Sequence, residues 1–229
     1  MEVIKKYKAQ IRFHFLLNLV FAAFVSFASF IHIPLQGYEG YLLYLAHFLV
    51  LQFSVFGFLY LLSLNRWIFI FIFPLLFVLC SATAYWVYVQ DIAISQNLVQ
   101  LALETKSDIV FDLISLPYIV YLIMSIICVA FFMHYRRTIE HNQLKSPLLI
   151  LAVVGVLSYP VLEYIKFGVL SRRLPFNIAY AAEDYFRQNN IILKPITNQL
   201  EAANDSLSIV FILGESVRAD HMQLNGYHR

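Results

Sequence analysis

Charge is what this sequence has least of. Asp, Glu, Lys and Arg make up 13% of its 229 residues, against 61% hydrophobic residues and a mean hydropathy of +0.71. Ordinary soluble domains carry roughly 25% charged residues, so that class is excluded. The formal net charge is only +2, and no nucleic-acid partner is expected. Cysteine is nearly missing: Cys80 and Cys128 both fall inside apolar runs, where they read as small packing residues rather than a disulfide pair. Internal repeats and low-complexity segments are absent. A retained anchor over Phe13–Ile33, rather than a cleaved leader, is expected, because the run is long and ends at Pro34 without a small-residue cleavage site.

What the chain has instead is long apolar runs. Five of them are long enough to cross a bilayer core, at about 13–33, 42–64, 68–89, 116–134 and 147–167. Pro74 and Pro160 predict kinks that neighbouring helices tolerate in lipid. Pro117 falls in a first turn, where a missing N–H costs least. Short loops on one side hold Lys5, Lys6, Lys8, Arg12, Arg66, Arg136, Arg137 and Lys145, while the opposite loops hold only Lys106. This asymmetry predicts a cytoplasmic N-terminus and an outward-facing segment after Phe167.

Within the spans, His47 and Gln52 are the most conspicuous polar groups, and helix-to-helix hydrogen bonding is the expected use for both. Glu163 and Lys166 are predicted to pair or to reach the interface. Between the third and fourth runs, residues 90–115 are too polar for lipid. Ile94, Leu98 and Leu101 recur at helical spacing, with Asn97, Gln100, Glu104 and Asp108 on another face. An amphipathic helix lying on the membrane surface is expected there, and a plain solvated connector is the competing reading. Residues 169–206 form an interfacial connector with helical periodicity over Ile178–Phe186.

The last stretch carries the chemistry. Ile209–Leu213 is a short, uniformly apolar, β-branched run, which predicts a strand buried on both faces. Gly214-Glu215-Ser216 follows at its carboxyl edge, where α/β sheets assemble ligand sites. A nucleophile elbow is disfavoured because Arg218 stands where that motif needs glycine. A plain helix-capping role for Glu215 is the bland alternative.

Gly-Glu-Ser-x-Arg-Ala-Asp-His over 214–221, with Leu-Asn-Gly-Tyr-x-Arg over 224–229, resembles the opening of the catalytic domain of bacterial phosphoethanolamine transferases. These are integral membrane members of the alkaline phosphatase/sulfatase superfamily that decorate lipid A and related envelope sugars. The resemblance implies a five-helix transmembrane domain (1–168), a connector (169–206) and the first strand of a truncated α/β domain (207–229). It implies zinc as cofactor, with Glu215 as a ligand, and a nucleophilic Thr beyond Arg229, so no catalytic nucleophile is assigned here. It implies phosphatidylethanolamine as donor and lipid A or another envelope glycan as acceptor, in a monomeric protein of the bacterial inner membrane. The headgroup-binding residues of the family fall on the outer segment, giving Thr105, Glu104, Asn97 and Asp108 as candidates. With Thr105 aligned, the family's Asn position becomes Leu101 and its Glu position Ile109, so Glu104 or Asp108 must stand in as the acid. The chain by itself is expected to be an inactive, truncated product. Phosphoglycerol transfer of the lipoteichoic-acid-synthase kind, or a non-enzymatic membrane scaffold or transporter, are the alternatives. The scaffold reading calls for more charge inside the spans than the sequence holds.

Overall fold

The computed structural model describes residues 2–34, 37–104, 114–139, 148–166 and 171–188. All lie in one compact unit, and among them every regular element is helical. In chain order these are α1 (Glu2–Phe24), a 3-10 turn (Ser26–Ser29), α2 (Gly37–Leu64), α3 (Arg66–Gln90), α4 (Gln96–Glu104), α5 (Leu116–Thr138), α6 (Leu148–Lys166) and α7 (Phe176–Gln188). The predicted strand over Ile209–Leu213 lies outside the described residues.

Four of these helices are long and apolar enough to span a membrane: Gly37–Leu64, Arg66–Gln90, Leu116–Thr138 and, within α6, Leu148–Ile165. The expected first span over 13–33 needs correcting. Its helix begins at Glu2 and stops at Phe24, and the rest of the run is a 3-10 turn and irregular backbone. Hydropathy misses this break because tertiary contacts impose it. The Tyr88 and Tyr121 hydroxyls donate to the Ala23 and Phe24 carbonyls, at 2.6 and 2.5 Å, and so satisfy groups that an ending helix leaves orphaned.

Local chemistry sets the other ends. The Asn65 side chain accepts from the Trp67 and Ile68 amides at 2.9 and 3.3 Å, so the one-residue link into α3 is an N-cap. α3 closes on Asp91 in the left-handed region (φ 52°), whose amide donates to the Val87 carbonyl at 3.1 Å. Ser115 caps α5, with Pro117 in its first turn as expected.

The core is an aromatic seam. Phe13, Leu17, Phe21 and Val25 repeat every four residues along one face of α1 and its continuation, each at most 1% exposed. They meet Phe69, Phe73 and Phe77 on α3 and Phe132 on α5. Phe69 and Phe73 stack at 4.6 Å, and Phe13 meets Phe69 edge-on at 5.8 Å. At the far end of this seam Arg136 is buried, donating through Nε to the Ser63 carbonyl at 2.9 Å and through a terminal nitrogen to Leu64 at 3.4 Å. Gln52 donates to the Asn18 side chain at 2.6 Å, which is the helix-to-helix role expected of it. Glu163 accepts from the Ser171 amide at 3.2 Å; the side chain of Lys166, its expected partner, lies outside the described residues.

α6 is held mainly by α2, through small residues. A Cβ on Gly57 would come within 2.5 Å of the Ala152 carbonyl oxygen, and one on Gly155 within 2.5 Å of that of Phe53. Beside this crossing the Ser54 and Ser158 hydroxyls bond at 3.1 Å. In lipid, where burial of apolar area drives little association, such close backbone approach is what joins helices. Gly57→Ala and Gly155→Ala should each destabilise the folded protein by about 1–3 kcal/mol, the usual range for overpacking. Gly40→Ala should be neutral or stabilising, since nothing lies within 4 Å of its Cβ position. Thermal unfolding in detergent checks this, and equal midpoints for all three variants would contradict it.

Candidate functional site

Where the 3-10 turn and the residues after it meet the end of α3 and α7, the chain forms an open cavity of about 750 Å³. Ala28, Ser29 and His32 form one wall, the residues from Asp91 to Gln96 a second, and Ser171–Arg173 with Asn177, Tyr180 and Asp184 a third. The second wall exists because α3 ends at Asp91 and α4 begins only at Gln96, leaving short irregular backbone between two helices. α4 then packs against α7 and closes that side.

The walls are pinned by hydrogen bonds to helix ends. His32 Nε2 lies 3.1 and 3.0 Å from the Val87 and Tyr88 carbonyls, so Nε2 carries the proton and donates to both. An imidazole at the end of α3 also suits the negative end of that helix. The Arg173 guanidinium donates to the Ser29 carbonyl and sits 5.1 Å from the centre of the Phe30 ring. The Leu174 amide donates to Ser29 Oγ at 2.9 Å. Burial lowers the Arg173 pKa from its ordinary value, with Tyr44 acting in the opposite sense. Asn177 is 6% exposed; its Nδ2 faces the Arg172 carbonyl at 3.5 Å, and its buried Oδ1 finds no partner among the described residues.

Both signs of charge face this one space. Arg172, Arg173 and Asp184 lie on the third wall and Asp91 on the second. Among the described residues no ion pair joins Arg172, Asp91 or Asp184; the ion pair found there is Arg187 with Glu183, outside the cavity wall. The side chains of Arg172, Asp91 and Asp184 are all exposed, and a lining that offers both signs suits a ligand carrying both a cation and an anion.

The family match decides what kind of chain this is. The N-terminal domain profile of phosphoethanolamine transferase EptA/EptB matches residues 51–189. The chain belongs to the EptA/EptB phosphoethanolamine transferase family. No curated protein matches it, and no solved structure does. The matched stretch runs from α2 to α7 and includes two of the three cavity walls.

Against this transferase framework the expected site residues divide. Asn97 is exposed on α4 and is not part of the cavity wall, whereas its neighbour Gln96 is. Glu104 ends α4, and its side chain lies outside the described residues, as do Thr105, Asp108 and Glu215 entirely. Of the surface helix expected over 90–115, the described part is Gln96–Glu104: Asp91 ends α3 and four irregular residues follow before it starts, while 105–113 lie outside the described residues. His32, Asp91, Asn177 and Asp184 were not singled out as site residues. They come from distant parts of the chain, and only the Arg172-Arg173 pair stands out in sequence. Among the described residues no group of three or more His, Cys, Asp or Glu can hold a metal ion, so this cavity does not fit zinc.

Arg173 anchors the third wall. Arg173→Met should cost about 1.5–3 kcal/mol, the range for a charged hydrogen bond, because it strands the Ser29 carbonyl. Arg173→Lys should fall between, since it keeps the charge but loses the planar stacking on Phe30. Thermal unfolding in detergent ranks the three proteins, and a Met variant as stable as the parent would remove Arg173 from this role.

Proposed function

We propose that this chain is the donor-lipid side of a phosphoethanolamine transferase, seating the phosphoethanolamine headgroup of phosphatidylethanolamine in the charged cavity. The observation that carries the reading is the set of unpaired opposite charges, Arg172 against Asp91 and Asp184, facing one space of about 750 Å³. The headgroup phosphate is assigned to Arg172 and the ammonium to the two carboxylates. A phosphoglycerol headgroup is anionic without a cation, so both carboxylates would oppose it. That favours phosphoethanolamine over the phosphoglycerol alternative. A scaffold gives no reason for such a cavity.

The remaining family expectations complete the proposal. α1 with its 3-10 turn makes a fifth crossing, placing the N-terminus in the cytoplasm and the cavity at the outer face of a bacterial inner membrane. Lipid A or a related glycan is the acceptor. Thr105, with Glu104 or Asp108, lies close enough in sequence to α4 to extend the headgroup site. Glu215 is a zinc ligand of the catalytic part, one of the three protein ligands that a catalytic zinc site needs.

Two measurements test this reading. A reporter active only in the periplasm, fused after Ser206, should be active, and activity instead from a fusion within Arg136–Lys145 would reverse the orientation. Short-chain phosphatidylethanolamine should bind the purified chain several-fold more tightly than phosphatidylglycerol of equal chain length. Asp91→Asn with Asp184→Asn should erase that preference, Arg172→Gln should weaken both lipids, Thr105→Ala should weaken phosphatidylethanolamine, and Glu215→Gln should change neither. Equal affinity of the parent chain for the two lipids would sink the headgroup assignment.

A further inference from the structure

α7 has two unlike faces. Asn177, Tyr180, Ala181 and Asp184 line the charged cavity, while Phe176, Ile178, Ala179 and Ala182 line a different space. At 3.6 residues per turn the two sets fall on opposite sides of the helix. The second space is a groove of about 510 Å³ between α2 and α3, walled by Phe58, Leu59, Ile72, Leu76 and Cys80 and closed by the first turns of α7. No charged residue lines it. Its volume lies within the roughly 300–1,000 Å³ range of small-molecule pockets.

We propose that this groove holds one acyl chain of a membrane phospholipid, the lipid whose headgroup occupies the charged cavity on the other face of α7. The proposal rests on the headgroup reading above for the second half of that statement, and on the groove itself for the first. Three observations choose this occupant. α2 and α3 are both long and apolar enough to cross the bilayer, so a groove between them opens to hydrocarbon. Its outer lip is open: Ile72, Leu75 and Leu79 are 47%, 73% and 50% exposed. A partner helix or a second copy of this chain would satisfy the apolar groove but not the charges across α7. An amphiphile satisfies both, because it joins a zwitterionic end to an apolar one. α7 thus divides the two ends of a single lipid, and Pro175–Phe176 marks the level at which headgroup gives way to chain.

The test is photo-crosslinking of the purified chain in bilayer nanodiscs. The probe is phosphatidylethanolamine with a diazirine midway along one acyl chain, and adducts are mapped by mass spectrometry. Labelling of Leu76–Cys80 and Ile178–Ala182 should exceed, several-fold, that of Leu157 and Val161 on α6, which are exposed to general lipid at 58% and 56%. Ala179→Trp places a ring in the groove from an exposed position and should abolish the excess while leaving α6 labelling unchanged. Leu79→Trp plugs it from the opposite wall and should do the same. Even labelling of groove and α6, or indifference to both tryptophans, overturns the proposal. So does protection from every lipid probe accompanied by crosslinked dimer, which would make the groove a contact between copies. A diacylglycerol probe separates the two readings. If it labels the groove as strongly as phosphatidylethanolamine does, the acyl site stands and the headgroup assignment falls.

Discussion

Every helix that ends within an apolar surround leaves carbonyls that water cannot reach, and this fold is arranged around meeting that need. α1 ends under the hydroxyls of Tyr88 and Tyr121, from α3 and α5. α2 ends under the guanidinium of Arg136, from α5. α3 ends under the imidazole of His32, which follows α1. The 3-10 turn after α1 is met by Arg173, which precedes α7. In each case the donor belongs to a different element, so satisfying one helix end also fixes where another element packs. Tyr88 shows the coupling most directly: its hydroxyl closes α1, while its own carbonyl accepts from His32.

The cavity is a by-product of these caps. His32 and Arg173 are spent on backbone carbonyls, which holds two walls apart at a defined separation. Arg172, Asp91 and Asp184 line the space between, with no such duty among the described residues. Side chains carried on backbone that cannot shift without stranding a carbonyl are preorganised, which lowers the ordering cost of taking up a ligand. The same helix that lends Asn177 and Asp184 to this space turns Phe176, Ala179 and Ala182 toward the apolar groove, so a polar and an apolar lining share one rigid element.

Much of the architecture was legible in the residues. The apolar runs located α2, α3, α5 and α6, and Ile178–Phe186 located α7 to within a few residues. Gln52 was correctly read as a link between helices. α1 was not legible past Phe24, because uniform hydropathy carries no mark of a break that two tyrosine hydroxyls enforce from 65 and 97 residues away. The site was legible only as a region. Attention fell on α4 because its polar stripe is periodic, whereas the cavity draws single residues from His32, Asp91, Arg172 and Asp184, which share no pattern along the chain. Asn97 and Gln96 differ by one position on a helix, enough to turn one outward and the other to the wall.

The glycine crossing of α2 and α6 has a consequence for biogenesis. Ser54 and Ser158, which bond across it, are 104 residues apart in sequence. Ribosomes extend a chain at roughly 5–20 residues per second, so about 5–20 seconds separate the making of one side of the seam from the other. During that interval α2 is already threaded into the bilayer with a flat, small-residue strip facing lipid and no mate. The same strip that lets two backbones touch makes α2 receptive to any passing helix of similar shape, including α2 of a neighbouring chain still being synthesised. Slower translation lengthens that exposed interval and faster translation shortens it, whatever the strength of the finished seam.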